Sequence, residues 1–198
     1  MTDTEICNMA LSYLGKGVIS SMEESTENAR AVKLFYDPAR CEILREFPWG
    51  FAHRRERLAL SAQDIPGWDY AYGYPAECLK LNRLMAETYE PYRKPFDIVN
   101  IGASTKIIVT DLENAFADYV WNVQDPNIFD DVFITGFSHL LASKIAMRLT
   151  GNPQVMQQEY QLYQATINSA RLQDAREKMT EPVYDSSYGL ARRGRWYG

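Results

Sequence analysis

Few side chains of this 198-residue chain could do chemistry: two histidines, three cysteines, two runs of adjacent acids and, ahead of the C-terminal tail, one basic cluster. Glu23-Glu24 and Asp130-Asp131 are carboxylate pairs. A glycosidase needs two carboxyls about 5–9.5 Å apart across a sugar cleft. Adjacent acids have a simpler use, since negative charge at a helix N-terminus is favourable by about 0.3–1 kcal/mol, and that reading is preferred here. His53 and His139 fall in different elements and neither has a metal-ligand spacing such as His-x-x-x-His. His139, among small residues, reads as a packed or interfacial histidine. His53 could move a proton only if the fold brings a carboxylate to it.

Cys7, Cys41 and Cys78 are odd in number, far apart and without a Cys-x-x-Cys pair. Reduced thiols are therefore expected, not a disulfide framework or a zinc knuckle. Neither Gly-x-x-x-x-Gly-Lys-[Ser/Thr] nor Gly-x-Gly-x-x-Gly occurs. No metal, cofactor or catalytic set is expected. Arg54, Arg55 and Arg57, with Glu56 among them, could touch phosphates, but pairing with acids of the same or an adjacent subunit is favoured. Alternation places Trp68, Tyr70, Tyr72 and Tyr74 on one strand face, where core packing is the expected use and a carbohydrate platform the alternative.

The elements that must carry these residues are legible from period and punctuation. Thr2 and Glu5 make a capping box, and Ile6, Met9, Ala10, Tyr13 and Leu14 recur on one helical face until Gly15 and Gly17. Ser25 caps a second helix carrying Ala29, Val32, Tyr36, Ala39, Ile43 and Phe47; Pro38 should kink or restart it, with Asp37 as a local cap. Pro48 ends it. Stretches 51–60, 69–74, 78–85, 96–101, 106–110 and 115–123 are short, rich in aromatic and β-branched residues and divided by Pro, Gly, Asn and Asp, the pattern of a small antiparallel β subdomain.

Asp125-Pro126 should open a third helix, with Ile134, Phe137, Leu141, Ile145 and Leu149 as its apolar stripe. Thr135, Ala142, Ser143 and Ala146 give it a small-residue face beside His139. Gly151 caps it and Asn152-Pro153 starts a fourth, in which Met156, Tyr160, Tyr163, Ile167 and Ala170 form a narrow seam. The rest of that helix is rich in neutral amides, including Gln157, Gln161 and Gln164. Amides can hydrogen-bond a neighbouring copy without the desolvation cost of charge; a plain solvated face is the alternative. The expected class is thus α+β: mainly a bundle of about four helices with an inserted antiparallel β subdomain and an extended C-terminal tail. The body is 1–179, with helices in 1–50 and 126–178 around a β-rich insertion at 51–123, and the tail is 180–198.

That tail carries Tyr184, Tyr188, Leu190, Arg192, Arg193, Arg195, Trp196 and Tyr197 with no helical or strand period. Disordered tails are ordinarily poor in aromatics, whereas Tyr, Trp and Arg dominate interface hot spots. The segment reads as an arm for a partner's groove. The net charge is −5, and the tail's three arginines leave the excess acid in the body. Such a body is unsuited to clamping duplex DNA, which requires several phosphate contacts, but suits solubility or a passage through which DNA slides. No basic-then-apolar leader and no apolar run of about eighteen residues is present, so cytoplasmic synthesis and no membrane are expected.

In order and spacing these elements resemble the head-to-tail adaptor proteins of tailed bacteriophages, closest to the tail tubular protein A type of short-tailed phages. The likeness runs from Leu14-Gly15 and Ile19-Ser20-Ser21-Met22-Glu23-Glu24, through Ala29, Arg40 and Leu44, to Phe47-Pro48-Trp49-Gly50-Phe51-Ala52. Tyr72-Gly73-Tyr74-Pro75-Ala76-Glu77-Cys78-Leu79 follows, with Glu77 where the family has Asp. Leu140-Leu141-Ala142-Ser143-Lys144-Ile145-Ala146 and Leu149-Thr150-Gly151-Asn152 complete it. It covers most of 1–178 and leaves the tail unaligned.

The resemblance implies a non-enzymatic virion protein at the head–tail junction, assembled in the host cytoplasm. It would form a ring of twelve subunits under the portal protein, extend the DNA channel without sequence-specific binding, and carry the tail nozzle protein. His139, Ser143, Gln157, Gln161 and Gln164 are then the expected subunit interface, and the eight tail residues named above the portal-binding arm. Some relatives are credited with cell-wall glycan hydrolysis, the alternative function, but no constellation here matches it.

Overall fold

The structure, a computed structural model, describes residues 1–86, 95–102 and 105–177. It is a mixed α/β fold with four helices and two small antiparallel sheets. Helix α1 (Asp3–Tyr13) begins at the expected capping box: Thr2 Oγ1 accepts from the Glu5 amide at 3.2 Å while the Glu5 carboxylate accepts from the Thr2 amide at 2.7 Å. It ends at Gly15 in the left-handed region, where the Lys16 amide donates back to the Leu11 carbonyl.

Helix α2 (Glu27–Glu46) starts one residue later than expected, with the Thr26 hydroxyl as its cap. Pro38 does not restart it. Pro38 and Leu34, the residue whose carbonyl loses its helical donor, both face solvent, so that carbonyl is not left unpaired in the core. Buried Tyr36, Ala39, Arg40 and Ile43 hold the helix through the break, and Asp37 pairs with Arg40 at 3.1 Å instead of capping.

All six expected strand segments form strands: β1 (His53–Arg57), β2 (Tyr70–Gly73), β3 (Cys78–Met85), β4 (Phe96–Ile101), β5 (Thr105–Thr110) and β6 (Phe116–Trp121). They make two three-stranded sheets, ordered β1-β6-β3 and β2-β5-β4. Leu58, Tyr72, Leu84, Ile108, Leu112, Ala117 and Tyr119 are buried between them as one apolar cluster. Tyr72 fills its centre and donates to the Leu112 carbonyl at 2.8 Å, with Tyr70 and Tyr74 half-buried beside it. Trp68 departs from this face and packs near Ala71, Ile107 and Val109, because it precedes β2 in the turn that Gly67 makes at φ +93°.

Asp125-Pro126 opens a single 3-10 turn (Pro126–Ile128), and α3 (Asp131–Thr150) starts at Asp130, whose carboxylate accepts from the Phe133 amide at 2.6 Å. The capping signature at 125 is genuine but is consumed by the turn. Helix α3 is buried nearly all round, between α1, α2 and α4. At Gly136 an added Cβ would lie 3.2 Å from Ile43 of α2 and 3.5 Å from Thr166, so glycine permits the close approach there. Gly151, at φ 64°, ends α3, and α4 (Pro153–Glu177) follows, capped by Asn152.

Two seams tie α2 and α3 to the segments that enter β1 and leave β6. Phe47, Trp49, Phe51, Phe129, Phe133 and Phe137 make a chain of edge and tilted ring contacts, anchored by Trp49 Nε1 donating to the Ile43 carbonyl at 2.9 Å. Buried Arg40 reaches from α2 to the Asn122 side chain at 2.7 Å and to the Val123 carbonyl. The aromatic links contribute about 0.5–1.5 kcal/mol per pair beyond the burial of their area.

Candidate interaction surface

The candidate surface is built on α4. Between 153 and 173 its buried positions are Glu159, Tyr163, Ile167 and Ala170, a strip one residue wide per turn facing α3. Tyr163, Ile167 and Ala170 match the expected seam. Met156 and Tyr160 do not: they are 39% and 43% exposed, and Glu159 occupies the inward place one turn before Tyr163. The reason is a charge requirement that the apolar period does not reveal. Glu159 must point inward because His139 of α3 waits there, Nδ1 2.8 Å from Oε2, with the carboxylate accepting the ring proton. The phenol of Tyr13 stacks on the imidazole, centroids 4.4 Å apart and planes 12° from parallel. Burial and then the Glu159 charge raise the Tyr13 pKa.

Two grooves flank the strip. One, about 450 Å³, is lined by Leu140, Ser143, Lys144, Pro153, Met156, Gln157 and Tyr160. The other, about 440 Å³, is lined by Asp131, Val132, Thr135, His139, Leu162, Ala165, Thr166 and Ser169. Between them the outer face of α4 presents Gln158, Gln161 and Asn168 with Leu172. The five expected interface residues are therefore spread round α4. Ser143 and Gln157 share the first groove, although the buried Ser143 hydroxyl is spent on the Leu140 carbonyl at 2.7 Å. His139 borders the second groove and is engaged by Glu159. Gln161 stands on the open face, and Gln164 lines a small recess with Glu46 and Arg171.

The eight tail residues, Tyr184, Tyr188, Leu190, Arg192, Arg193, Arg195, Trp196 and Tyr197, lie outside the described residues.

A second cluster sits on the β1-β6-β3 sheet. The fold does bring a carboxylate to His53: Asp118 Oδ1 lies 3.2 Å from its Nδ1. Asp118 also takes the Nε groups of Arg55, at 3.4 Å, and Arg83, at 3.1 Å, both on Oδ2. Arg54, on the opposite face of β1, pairs with Glu77 at 3.5 Å and lies 3.6 Å over the Trp121 ring. Arg57 is held by Asn114. The expected pairing with acids is supplied by the chain itself for Arg54 and Arg55, whereas Arg57 takes an amide oxygen instead. Asp118 and Arg83 were not among the residues singled out from sequence. The available signal was an aspartate inside the apolar run Phe116–Trp121, since a charge at a buried strand position requires a partner.

Asp130 and Asp131 serve the start of α3, as expected. Glu23 pairs with Lys33, and the Glu24 carboxylate accepts from the Ser20 and Ser21 amides, which lowers its pKa. Burial pushes the Cys7 thiol up to about 12, with Asp3 adding to the shift, so it stays protonated at neutral pH. Among the described residues no group of three or more His, Cys, Asp or Glu side chains could hold a metal ion, and no helix is long and apolar enough to cross a membrane. Compared with models of known protein families and with curated proteins, the chain has no match.

Proposed function

We propose that the chain is a structural head-to-tail adaptor of a tailed bacteriophage, one that docks under the portal as a ring, extends the DNA channel and offers a platform to the tail nozzle. The observation that carries this reading is the surface of α4. Between 153 and 173 this helix buries only a strip against its own fold and turns outward a mixture of neutral amides and the apolar side chains Met156, Tyr160, Leu162 and Leu172. Neutral amides beside apolar side chains suit contact with a copy of the same chain, because little charge must be desolvated. A stable interface buries about 1,200–2,000 Å² in total, within reach of a helix about 37 Å long at 1.5 Å per residue.

The order of sequence elements supports the same reading, and the acidic balance of the body suits a DNA passage that does not grip its cargo. In this reading the segment 180–198 is the arm that engages the portal. Ordering it costs roughly 1–2 kcal/mol per residue, which anchors such as Trp196 and Tyr188 offset when the portal groove is present. The test is to mix the chain with portal rings and image the product by electron microscopy. Rings seated on the portal, absent when 180–198 is deleted from a body with an unchanged circular dichroism spectrum, are the expected result. Failure of the intact chain to load on any portal, or normal loading by the truncated body, overturns the proposal.

A further inference from the structure

The outer face of the β1-β6-β3 sheet concentrates cations on an acidic molecule. In the antiparallel register Arg55 lies opposite Asp118, and Arg83 lies opposite it from the other side. Asp118 is 2% exposed. Burying a carboxylate is costly unless charged donors surround it, and here both arginines give it only their Nε edges. Each guanidinium carries five N–H donors in a fixed fork, so the outer Nη edges of both are left without a partner among the described residues. The sheet also holds His53 Nε2, buried without a hydrogen-bond partner, and Asp118 Oδ1, which lies 3.2 Å from His53 Nδ1 but without the geometry of a hydrogen bond. One acid thus holds Arg83 by a hydrogen bond and Arg55 by an ion-pair contact, two exposed arginines from two different strands.

We propose that Arg55 and Arg83, held by Asp118, form an oxyanion clamp that takes an aspartate or glutamate side chain of a protein partner. Arginine is suited to this because its fork matches a carboxylate with two parallel hydrogen bonds. A nucleic-acid strand fits less well: it needs a run of cations to meet successive phosphates, whereas Arg57 is held by Asn114 and Lys80 donates to the Arg45 carbonyl. The clamp belongs to the β module and does not depend on the adaptor reading.

The experiment titrates the intact chain with a ten-residue polyglutamate peptide and, in parallel, with a ten-nucleotide oligothymidylate at low salt. Saturable peptide binding is expected, weakened about tenfold or more by Arg55→Gln or Arg83→Gln and less than about twofold by Arg57→Gln, a charge-assisted hydrogen bond being worth about 1.5–3 kcal/mol. Asp118→Asn is the sharpest variant. It makes the face more positive, so a diffuse patch would bind the peptide more tightly, whereas a clamp that needs its arginines oriented binds it more weakly. If Asp118→Asn fails to fold, the contrast of Arg83 with Arg57 still decides. Tighter binding by Asp118→Asn, equal losses at Arg57 and Arg83, no peptide binding, or oligothymidylate bound at least as tightly as peptide would each overturn the clamp.

Discussion

Both histidines of the chain face a buried carboxylate through Nδ1, one in each half of the molecule, and the two pairs have different surroundings. In the helical half, Glu159 meets His139 alone, the imidazole is covered by Tyr13, and the pair stitches α4 to α3 under α1. In the β half, Asp118 draws His53, Arg55 and Arg83 from two strands, and the arginines open to solvent. A histidine beside a buried carboxylate thus makes an internal fastener in one place and the base of a charged surface in the other. What separates them is the number of cations that reach the acid and the side on which water lies. A fastener should matter to stability, and a surface should matter to binding.

Removing the acids tests that division directly. Glu159→Ala leaves a covered imidazole without its acceptor and should cost about 2–3 kcal/mol, the penalty of a buried polar group stripped of its partner. The double variant His139→Leu with Glu159→Met should recover stability to within about 1 kcal/mol of the parent, because apolar replacement of both members of a buried pair is often neutral. Urea unfolding with an unchanged slope reads both. Asp118→Ala should cost less, about 1 kcal/mol, since Arg55 and Arg83 can turn into water. A larger loss from Asp118→Ala than from Glu159→Ala would reverse the comparison.

Alkaline pH probes the apolar side of the sheet that carries Asp118. Burial first, and then a hydrogen bond to Glu56, raise Tyr119 from 10.0 to about 12. A phenol whose folded pKa is raised contributes stability that is fully present below the unfolded value and is lost as pH rises through the folded one. Stability should therefore fall between about pH 10 and 12, with Tyr36, Tyr74, Tyr163 and Cys7, whose pKa values burial also raises, adding to the fall. Tyr119→Phe should lessen it while leaving neutral-pH stability within about 1 kcal/mol, the net worth of one hydrogen bond. An unchanged pH profile in Tyr119→Phe would place the titrating group elsewhere.

The fold was legible wherever a local rule decides. The six β segments announced themselves by residue type, Thr2 with Glu5 by a reciprocal cap, and Gly151 by the left-handed turn it permits. Local rules failed where two signals competed within a few residues. Asp125-Pro126 and Asp130 both read as helix starts, and only packing of Phe129 and Phe133 against Trp49 and Phe51 decides that the helix begins at the second. Site chemistry was less legible because it is tertiary. Nothing near His53 in sequence points to Asp118, 65 positions away, and the inward turn of Glu159 requires knowing that His139 stands opposite. An aspartate among aromatic strand residues and a glutamate in place of an apolar seam residue are the two local anomalies, and both mark buried pairs.

The smallest effect is also the most specific to the helical pair. Tyr13 is largely open to water on one side yet lies flat on the imidazole, and its phenol sits close enough to Glu159 for that charge to raise its pKa. Replacing it by leucine keeps apolar cover over His139 and removes the ring–ring contact, so Tyr13→Leu should cost about 0.5–1.5 kcal/mol. In the Glu159→Ala background the imidazole has lost what fixes its plane, and a ring that can rotate gains less from a stacked neighbour. The two losses should then sum to more than the double variant shows, with a coupling of about 0.5 kcal/mol or more for groups in one network. The same cycle run with Tyr13 and Asp118 should show none, since these groups lie in different halves of the molecule. Additivity in the first cycle would mean that Tyr13 merely covers the pair, and the fastener would then reduce to two residues instead of three.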